Sequence, residues 1–428
     1  MGVAAALLFR APVLRRMNGS HHRWLNRFAV FTALATLGLI WMGGLVTSHG
    51  VGMAVPDWPT TYGYNLFFFP ISQWVGGIFY EHAHRLLAAF IGLLTSILAG
   101  WLWVRETHGR ARWFGLSVII LMVMMLSHRG SGQATGGLDG VPIHFRALAV
   151  VMPVLLGVGV WKTFQTGGSL RWLGMTAFFA VIFQGILGGF RVANMQDALG
   201  IFHATLAQLF FALVGVIAVL TSRWWLQADF SAWQRGGIGA IRRGFAVVAA
   251  LIFVQLVVAA TMRHQHAGLA ISDFPLAHGK VWPDTDETSV MRYNQQRGEV
   301  RALNPITAAQ IHLQMMHRIL ALLIVLGVAW MAGATLKRVG PGSAPGRLAL
   351  FWLGLLFVQV ALGAATIWTN KAADIATAHV AVGALCFVTG IGLTLLGWRC
   401  ERANVPRRDS SLTTQGIGFD AHSVKASA

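Results

Sequence analysis

Long apolar runs dominate this chain, and their length limits what it can fold into. A helix that crosses a bilayer needs about 20 mostly apolar residues, and ten stretches reach or approach that length. By residue number they are 28–47, 82–104, 113–127, 147–161, 173–190, 199–221, 245–262, 312–334, 348–369 and 376–398. The sequence therefore predicts an all-α polytopic membrane protein with about ten spans.

The composition agrees with a membrane protein and excludes a nucleic-acid binder. Of the 428 residues, 55% are hydrophobic and 11% are charged, and the formal net charge is +18. The arginines lie in short segments between apolar runs, as expected for cytoplasmic loops, so we expect the bilayer as the partner and no nucleic acid. Both cysteines, Cys386 and Cys400, lie in or beside the last run, which argues against an external disulfide framework.

Charge placement also predicts the orientation and the division of the chain. Residues 48–80 contain no Lys or Arg, which places this loop outside and both termini inside a cell inner (plasma) membrane. The predicted units are a cytoplasmic lead (1–27), a first four-helix bundle (28–222) with an extra hairpin at about 113–165, a cytoplasmic linker (223–244), a second four-helix bundle (245–398) and a disordered cytoplasmic tail (399–428).

Three segments recur in the same order in the two halves and indicate an internal duplication. Residues 52–59, GMAVPDWP, match 268–275, GLAISDFP, and 81–85, EHAHR, match 314–318, QMMHR. Residues 184–188, QGILG, match 359–363, QVALG, and a histidine follows each after a similar interval. We expect two parallel repeats that form an eight-helix core, to which the hairpin is an addition.

The repeat pairs four histidines, two in each half. His84 and His203 lie just inside the second and fourth core helices of the first half, and His317 and His379 occupy the same places in the second. Ionisable groups within membrane spans mark functional sites. Two imidazoles at one level of a helix bundle can bind a haem iron from opposite sides, so the pattern predicts one such pair in each bundle.

Other polar residues accompany these histidines. Arg85 and Arg318 are candidates for contacts with haem propionates, although an arginine at a helix mouth can also simply reach towards water. His82 and His312 share these neighbourhoods without a counterpart in the repeat. For these two histidines we favour a structural role over metal binding.

Glu81 distinguishes the two halves, because its counterpart is Gln314. A carboxylate one helical turn before His84 lies on the same helix face, where it can take or give protons. The alternative is a carboxylate that only interacts with the positive end of the helix dipole. The asymmetry suggests that one half performs the chemistry and the other assists it.

Taken together, these motifs resemble the heme A synthase family of cytochrome oxidase assembly. The resemblance rests on Glu81-x-x-His84-Arg85, the first outer loop to Pro59, the 184–189 segment leading to His203, the 316–318 segment, and Gln359 leading to His379. It implies that the first bundle binds the substrate heme O near His84 and His203, and that the second holds a haem b on His317 and His379. It further implies that a ring methyl of heme O is hydroxylated successively to a formyl group, with Glu81 as the catalytic residue.

The chain departs from the family pattern in two places. The cysteine pair that some bacterial members carry in an outer loop is absent here, and the segment from residue 113 to about 165 exceeds an eight-helix core. Heme O synthase and a quinone or other electron acceptor are the further partners that the resemblance suggests.

Two functions from other classes remain open at this level. A diheme b-type protein that exchanges electrons with quinone would leave its haems unaltered and would not need Glu81. A transporter built from parallel repeats would contain no haem.

Overall fold

A computed structural model describes residues 23–127, 141–194, 197–296 and 305–402. Within these residues, ten helices are long and apolar enough to cross a bilayer. In chain order they are α1 (Arg23–Ser48), α2 (Gly76–Glu106), α3 (Gly109–Ser127), α4 (Ile143–Gln165), α5 (Leu170–Asn194), α6 (Asp197–Leu220), α7 (Arg242–His264), α8 (Ala308–Val339), α9 (Ala344–Trp368) and α10 (Ala373–Arg402). The prediction of an all-α polytopic membrane protein with about ten spans is confirmed.

Local chemistry explains how polar residues are accommodated in these helices. The hydroxyls of Thr32 and Thr36 donate to the carbonyls four residues earlier, at 2.8 and 2.7 Å. An apolar helix tolerates a hydroxyl in this way, because the group is satisfied within its own turn. At the start of α8, Thr307 and Gln310 form a reciprocal capping box that satisfies free backbone donors.

The helices pack in two groups of four, joined along one side. In the first group α1 contacts α2 and α6, while α5 contacts α2 and α6; in the second, α7 and α9 each contact α8 and α10. Between the groups, α10 packs on α1 and α6, and α7 packs on α6. A continuous apolar core crosses this junction and includes buried Phe245, Trp352 and Phe387. That each group of four helices forms a separate domain stays a prediction.

The hairpin of α3 and α4 lies outside the first group. Its second helix packs along α5 and its first along α2. Phe145, Met152 and Phe178 are buried in a separate apolar cluster between α4 and α5. The structure therefore confirms two long apolar helices at the predicted hairpin, while residues 128–140 of its linker lie outside the described residues.

Several predicted boundaries differ from the structure. Helix α1 begins at Arg23 within the predicted lead, and α10 continues to Arg402 within the predicted tail. The predicted linker, 223–244, contains two short helices and a 3-10 turn before α7 starts at Arg242. These helix ends carry arginines. A prediction from the length of apolar runs excludes the arginines, although the helix itself continues through them into the polar region at the membrane surface. The remainder of the lead (1–22) and of the tail (403–428) lies outside the described residues.

Candidate functional site

The histidines of the second half face one another. The imidazole centres of His317 and His379 lie 6.4 Å apart with their planes inclined by 57°. Two metal–imidazole bonds of about 2 Å, together with the distance from each nitrogen to the centre of its ring, give roughly 6 Å between ring centres. This pair therefore has the spacing of two axial ligands with one iron between them.

The histidines of the first half also lie near one another. His84 and His203 interact electrostatically, and each is only partly accessible to solvent. The four histidines are the seventh to the tenth residues of their helices, so at 1.5 Å per residue they lie within about one turn of the same depth. The structure therefore brings together the residues that the repeat predicts.

Glycines beside the imidazoles make room for them. A Cβ atom at Gly43 or Gly363 would lie 3.1 Å from Cε1 of His84 or His379, respectively. A Cβ atom at Gly188 would lie 3.3 Å from Cε1 of His203. The neighbouring helix thus approaches each of these three rings closely enough that a side chain there would push against the ring.

Hydrogen bonding prepares one ring for metal binding. Nδ1 of His379 lies 3.1 Å from the Gln359 carbonyl, which can only accept, so Nδ1 carries the proton. Nε2 then presents its lone pair, the state that a metal requires. The Gln359 amide lies 3.4 Å from that nitrogen, a weak contact that a metal bond would replace. The residues present therefore fit a haem iron.

The first pair lacks that hydrogen bond. Nδ1 of His203 is buried without a hydrogen-bond partner, although the equivalent Gln184 carbonyl still interacts with the ring. The Gln184 side chain instead donates to the His203 main-chain carbonyl at 3.0 Å. His203 is therefore positioned through its backbone, whereas His379 is fixed through its ring.

Glu81 and Arg85 hold the first outer loop. Glu81, which is 3% exposed, accepts the Val55 amide at 2.8 Å and pairs with Arg85 at 2.7 Å. Arg85 also donates to the carbonyls of Asp57, Thr60 and Val55. The guanidinium of Arg85 is thus bound to loop carbonyls, and a contact between Arg85 and a haem propionate stays a prediction.

Gln314 and Arg318 repeat the arrangement without the ion pair. Gln314 accepts the Ile271 amide at 2.6 Å, and Ile271 is the repeat counterpart of Val55. Arg318 donates to the carbonyls of Asp273 and Leu276. Glutamine thus reproduces the amide contact of Glu81 while leaving the arginine without a carboxylate partner.

Each loop closes in the same aspartate-centred turn. Asp57 accepts the amides of Tyr62 and Gly63, and Asp273 accepts those of His278 and Gly279 in the same way. Burial acts to raise the pKa of Asp57, but these amides, Thr60 and Arg85 outweigh it and the pKa is lowered. The first half therefore keeps an ionised carboxylate in its loop.

Comparisons with known proteins agree with this geometry. Residues 143–391 match the model of the family described as cytochrome oxidase assembly protein, more than half of the chain. The chain belongs to this family. The matched region includes His203, His317 and His379, and it begins after α2, which carries Glu81 and His84.

Proteins named heme A synthase are among the relatives. The one from Shouchella clausii is 26% identical over 267 residues, which cover 61% of this chain and 67% of that protein. The one from Geobacillus kaustophilus is 23% identical over 331 residues, or 70% of this chain and 95% of the relative. The one from Brucella ovis is 20% identical over 385 residues, or 83% and 86%. Membership of the cytochrome oxidase assembly family, drawn first from the motifs, is thereby confirmed.

Two further histidines lie away from the pairs. His82 is fully buried, lies 3.1 Å from the Thr61 hydroxyl, and packs against Phe69 and Trp74 of the outer loop. His312 is exposed. In this member of the family, His82 therefore contributes to loop packing.

The sequence interpretation missed several polar residues near the pairs. Gln255 donates to the His317 carbonyl at 2.9 Å, as Gln184 does to that of His203. Arg191 interacts electrostatically with both histidines of the first pair, and Arg263 with His379. A glutamine within the apolar run of α7 was a usable signal, whereas the positions of the two arginines depend on helix packing.

Proposed function

We propose that this chain is a heme A synthase, which converts heme O to heme A during cytochrome oxidase assembly. The observation that carries the proposal is the 6.4 Å spacing of His317 and His379. In the other half, His84 and His203 also interact with one another. Family membership and relatives that bear this name support the proposal. In this proposal His317 and His379 hold a resident haem b, and His84 and His203 receive heme O.

The chain's own residues would position the reactants. His84 and His203 would bind the substrate iron, while the loop clamped by Glu81 and Arg85 would cover that site. Bound haem iron supplies redox chemistry whose properties the axial ligands and surroundings set. Each hydroxylation of the ring methyl would take its oxygen from water, replace a C–H bond with a C–O bond, and release two protons and two electrons, which a quinone or another oxidant must accept. The doubly hydroxylated carbon would then lose water to give the formyl group.

We assign Glu81 as the residue that accepts a proton during this oxidation. Glu81 and Arg85 hold the first outer loop, and Gln314 and Arg318 hold the second. Gln314 makes the same amide contact as Glu81, so the two arrangements differ in the charge of this one residue. The place of Glu81 one turn before His84 supports the assignment. Arg85, which pairs with the carboxylate at 2.7 Å, holds it in this position.

The proposal also includes the orientation of the protein in the membrane and the source of its substrate. Both termini would face the cytoplasm, with the histidine pairs near the outer face of the inner membrane, because the 48–80 loop lacks Lys and Arg. Heme O synthase would supply the substrate.

Analysis of extracted haems from the full-length protein tests this function. Cells that make heme O and express the wild-type chain should yield heme A, and the purified protein should also contain haem b. Glu81→Gln should retain haem b while heme A falls to background, whereas Gln314→Glu should still produce heme A. Haem b alone in the wild type would instead support electron transfer, and protein without haem would refute both haem functions.

A further inference from the structure

Arg263 lies where the two halves meet. Its Nη2 donates to the Gly44 carbonyl and to the Ser48 hydroxyl of α1. The packing there is close, since a Cβ atom at Gly44 would lie 2.8 Å from Thr377 of α10. Neutral groups of the first half thus hold the guanidinium of a residue that belongs to the second half.

A second cation, Lys371, lies in the turn between α9 and α10 and interacts electrostatically with Arg263. Asn370 and Lys371 adopt the left-handed conformation, with φ of 55° and 65°, and the Lys371 amide bonds the Thr366 carbonyl at 2.7 Å. This turn fixes where the lysine side chain starts. Burial first, and then the charge of Arg263, lower the pKa of Lys371.

These two cations have no acidic partner among the described residues. The salt bridges found there join other groups, and Arg263 Nε is buried without a hydrogen-bond partner. A partly buried charge without a counter-charge is costly. Two of them together form a place where an anion would be stabilised.

The position of the cations indicates which anion. Arg263 interacts electrostatically with His379, the ring prepared for metal binding. Arg318 also has an Nε without a hydrogen-bond partner, but its two terminal nitrogens donate to carbonyls of the outer loop and hold its guanidinium there. A porphyrin held by His379 carries carboxylates at its edge, and a planar guanidinium suits a carboxylate.

We propose that Arg263 and Lys371 form a carboxylate site that binds an acidic edge group of the haem held by His317 and His379. This inference rests on the proposed function, because it requires haem in the second half. A free carboxylate anion shares the same chemistry and is the alternative source. The site would connect haem binding to the junction of the halves, since Arg263 also bonds α1.

Haem titration of the full-length purified protein tests the site by absorbance, independently of activity. Ferric protoporphyrin haem should bind at least about tenfold more tightly than its dimethyl ester, since a charge-assisted bond contributes about 1.5–3 kcal/mol. Arg263→Gln and Lys371→Gln should each weaken haem binding by about tenfold and leave ester binding unchanged. Lys337→Gln, at the opposite end of α8, is the matched control and should change neither affinity.

The outcomes separate this inference from the function. If the wild type binds no haem, the proposed function fails. If haem and ester bind alike and the variants match the wild type, the carboxylate site is wrong while haem binding stands. If acetate stabilises the haem-free wild type but not Lys371→Gln, and haem and ester bind alike, the site takes a free anion and the assignment to haem is overturned. Loss of ester binding in Arg263→Gln would show a purely structural role and would also overturn it.

Discussion

The two halves hold their outer loops alike but hold their histidines differently. Val55 and Ile271 donate to equivalent side chains, Glu81 and Gln314. The His379 ring, however, bonds the Gln359 carbonyl, whereas Nδ1 of His203 is buried without a hydrogen-bond partner. Nδ1 of His317 is also buried without a hydrogen-bond partner, so the difference lies in one ring of the second half. A ring fixed in one tautomer suits a resident cofactor.

Removing a ring tests this comparison most strongly. His379→Ala should abolish binding of the haem b that we propose for the second half, because one of its two proposed axial ligands is lost. His203→Ala should retain haem b and lose heme A formation. Absorbance spectra and extracted haems of the two purified variants measure the bound haem b and the heme A formed. Equal loss of haem b from both variants would show that the two histidine pairs do not have separate roles.

Replacing Glu81 by the residue found at its counterpart, Gln314, should have the next largest effect on heme A formation. Glu81→Gln should lower heme A formation by at least about a hundredfold, within the usual contribution of a general acid or base. The amide contact should survive, because Gln314 shows that glutamine can make it, while loss of the ion pair with Arg85 should lower the free energy of unfolding by about 1.5–3 kcal/mol. Thermal unfolding of purified protein provides the control, and a normal heme A yield from Glu81→Gln would remove this residue from the mechanism.

The arginines should reveal how much more firmly the first loop is held. Arg85 makes four hydrogen bonds, one to a carboxylate, and Arg318 makes two. Arg85→Met should therefore lower the local opening free energy of residues 53–63 by about 3 kcal/mol, and Arg318→Met that of residues 269–279 by about half as much. Hydrogen exchange of the two loops measures both, and the reverse order would contradict the comparison.

A methyl group beside each ring should have the smallest effect. Gly363→Ala places Cβ about 3.1 Å from His379 Cε1 and should weaken haem b binding by about fivefold. Gly354→Ala in the same helix meets nothing within 4 Å and is the control for helix propensity. Gly188→Ala, with Gly185→Ala as its control, applies the same test to the first pair. There we expect a smaller change, because the freer His203 ring can move aside.

Much of the site was predictable because duplication leaves a record in the chain. The repeated histidines identified four positions on four helices, and the similar depth of these residues follows from counting along helices. His82 illustrates the limit, since its neighbours in the chain resemble those of His84 although its ring packs into the outer loop. One helical step separates adjacent side chains by about 100°, so neighbours in sequence face different surroundings.

The sequence by itself determined the membrane class, the two repeats and the family, because apolar length and recurring motifs are properties of the chain alone. Only the tertiary structure decided where the polar groups act. It assigned Arg85 and Arg318 to loop carbonyls and brought Arg263 of α7 against Ser48 of α1. Such contacts join residues far apart in the chain, and they depend on how whole helices pack.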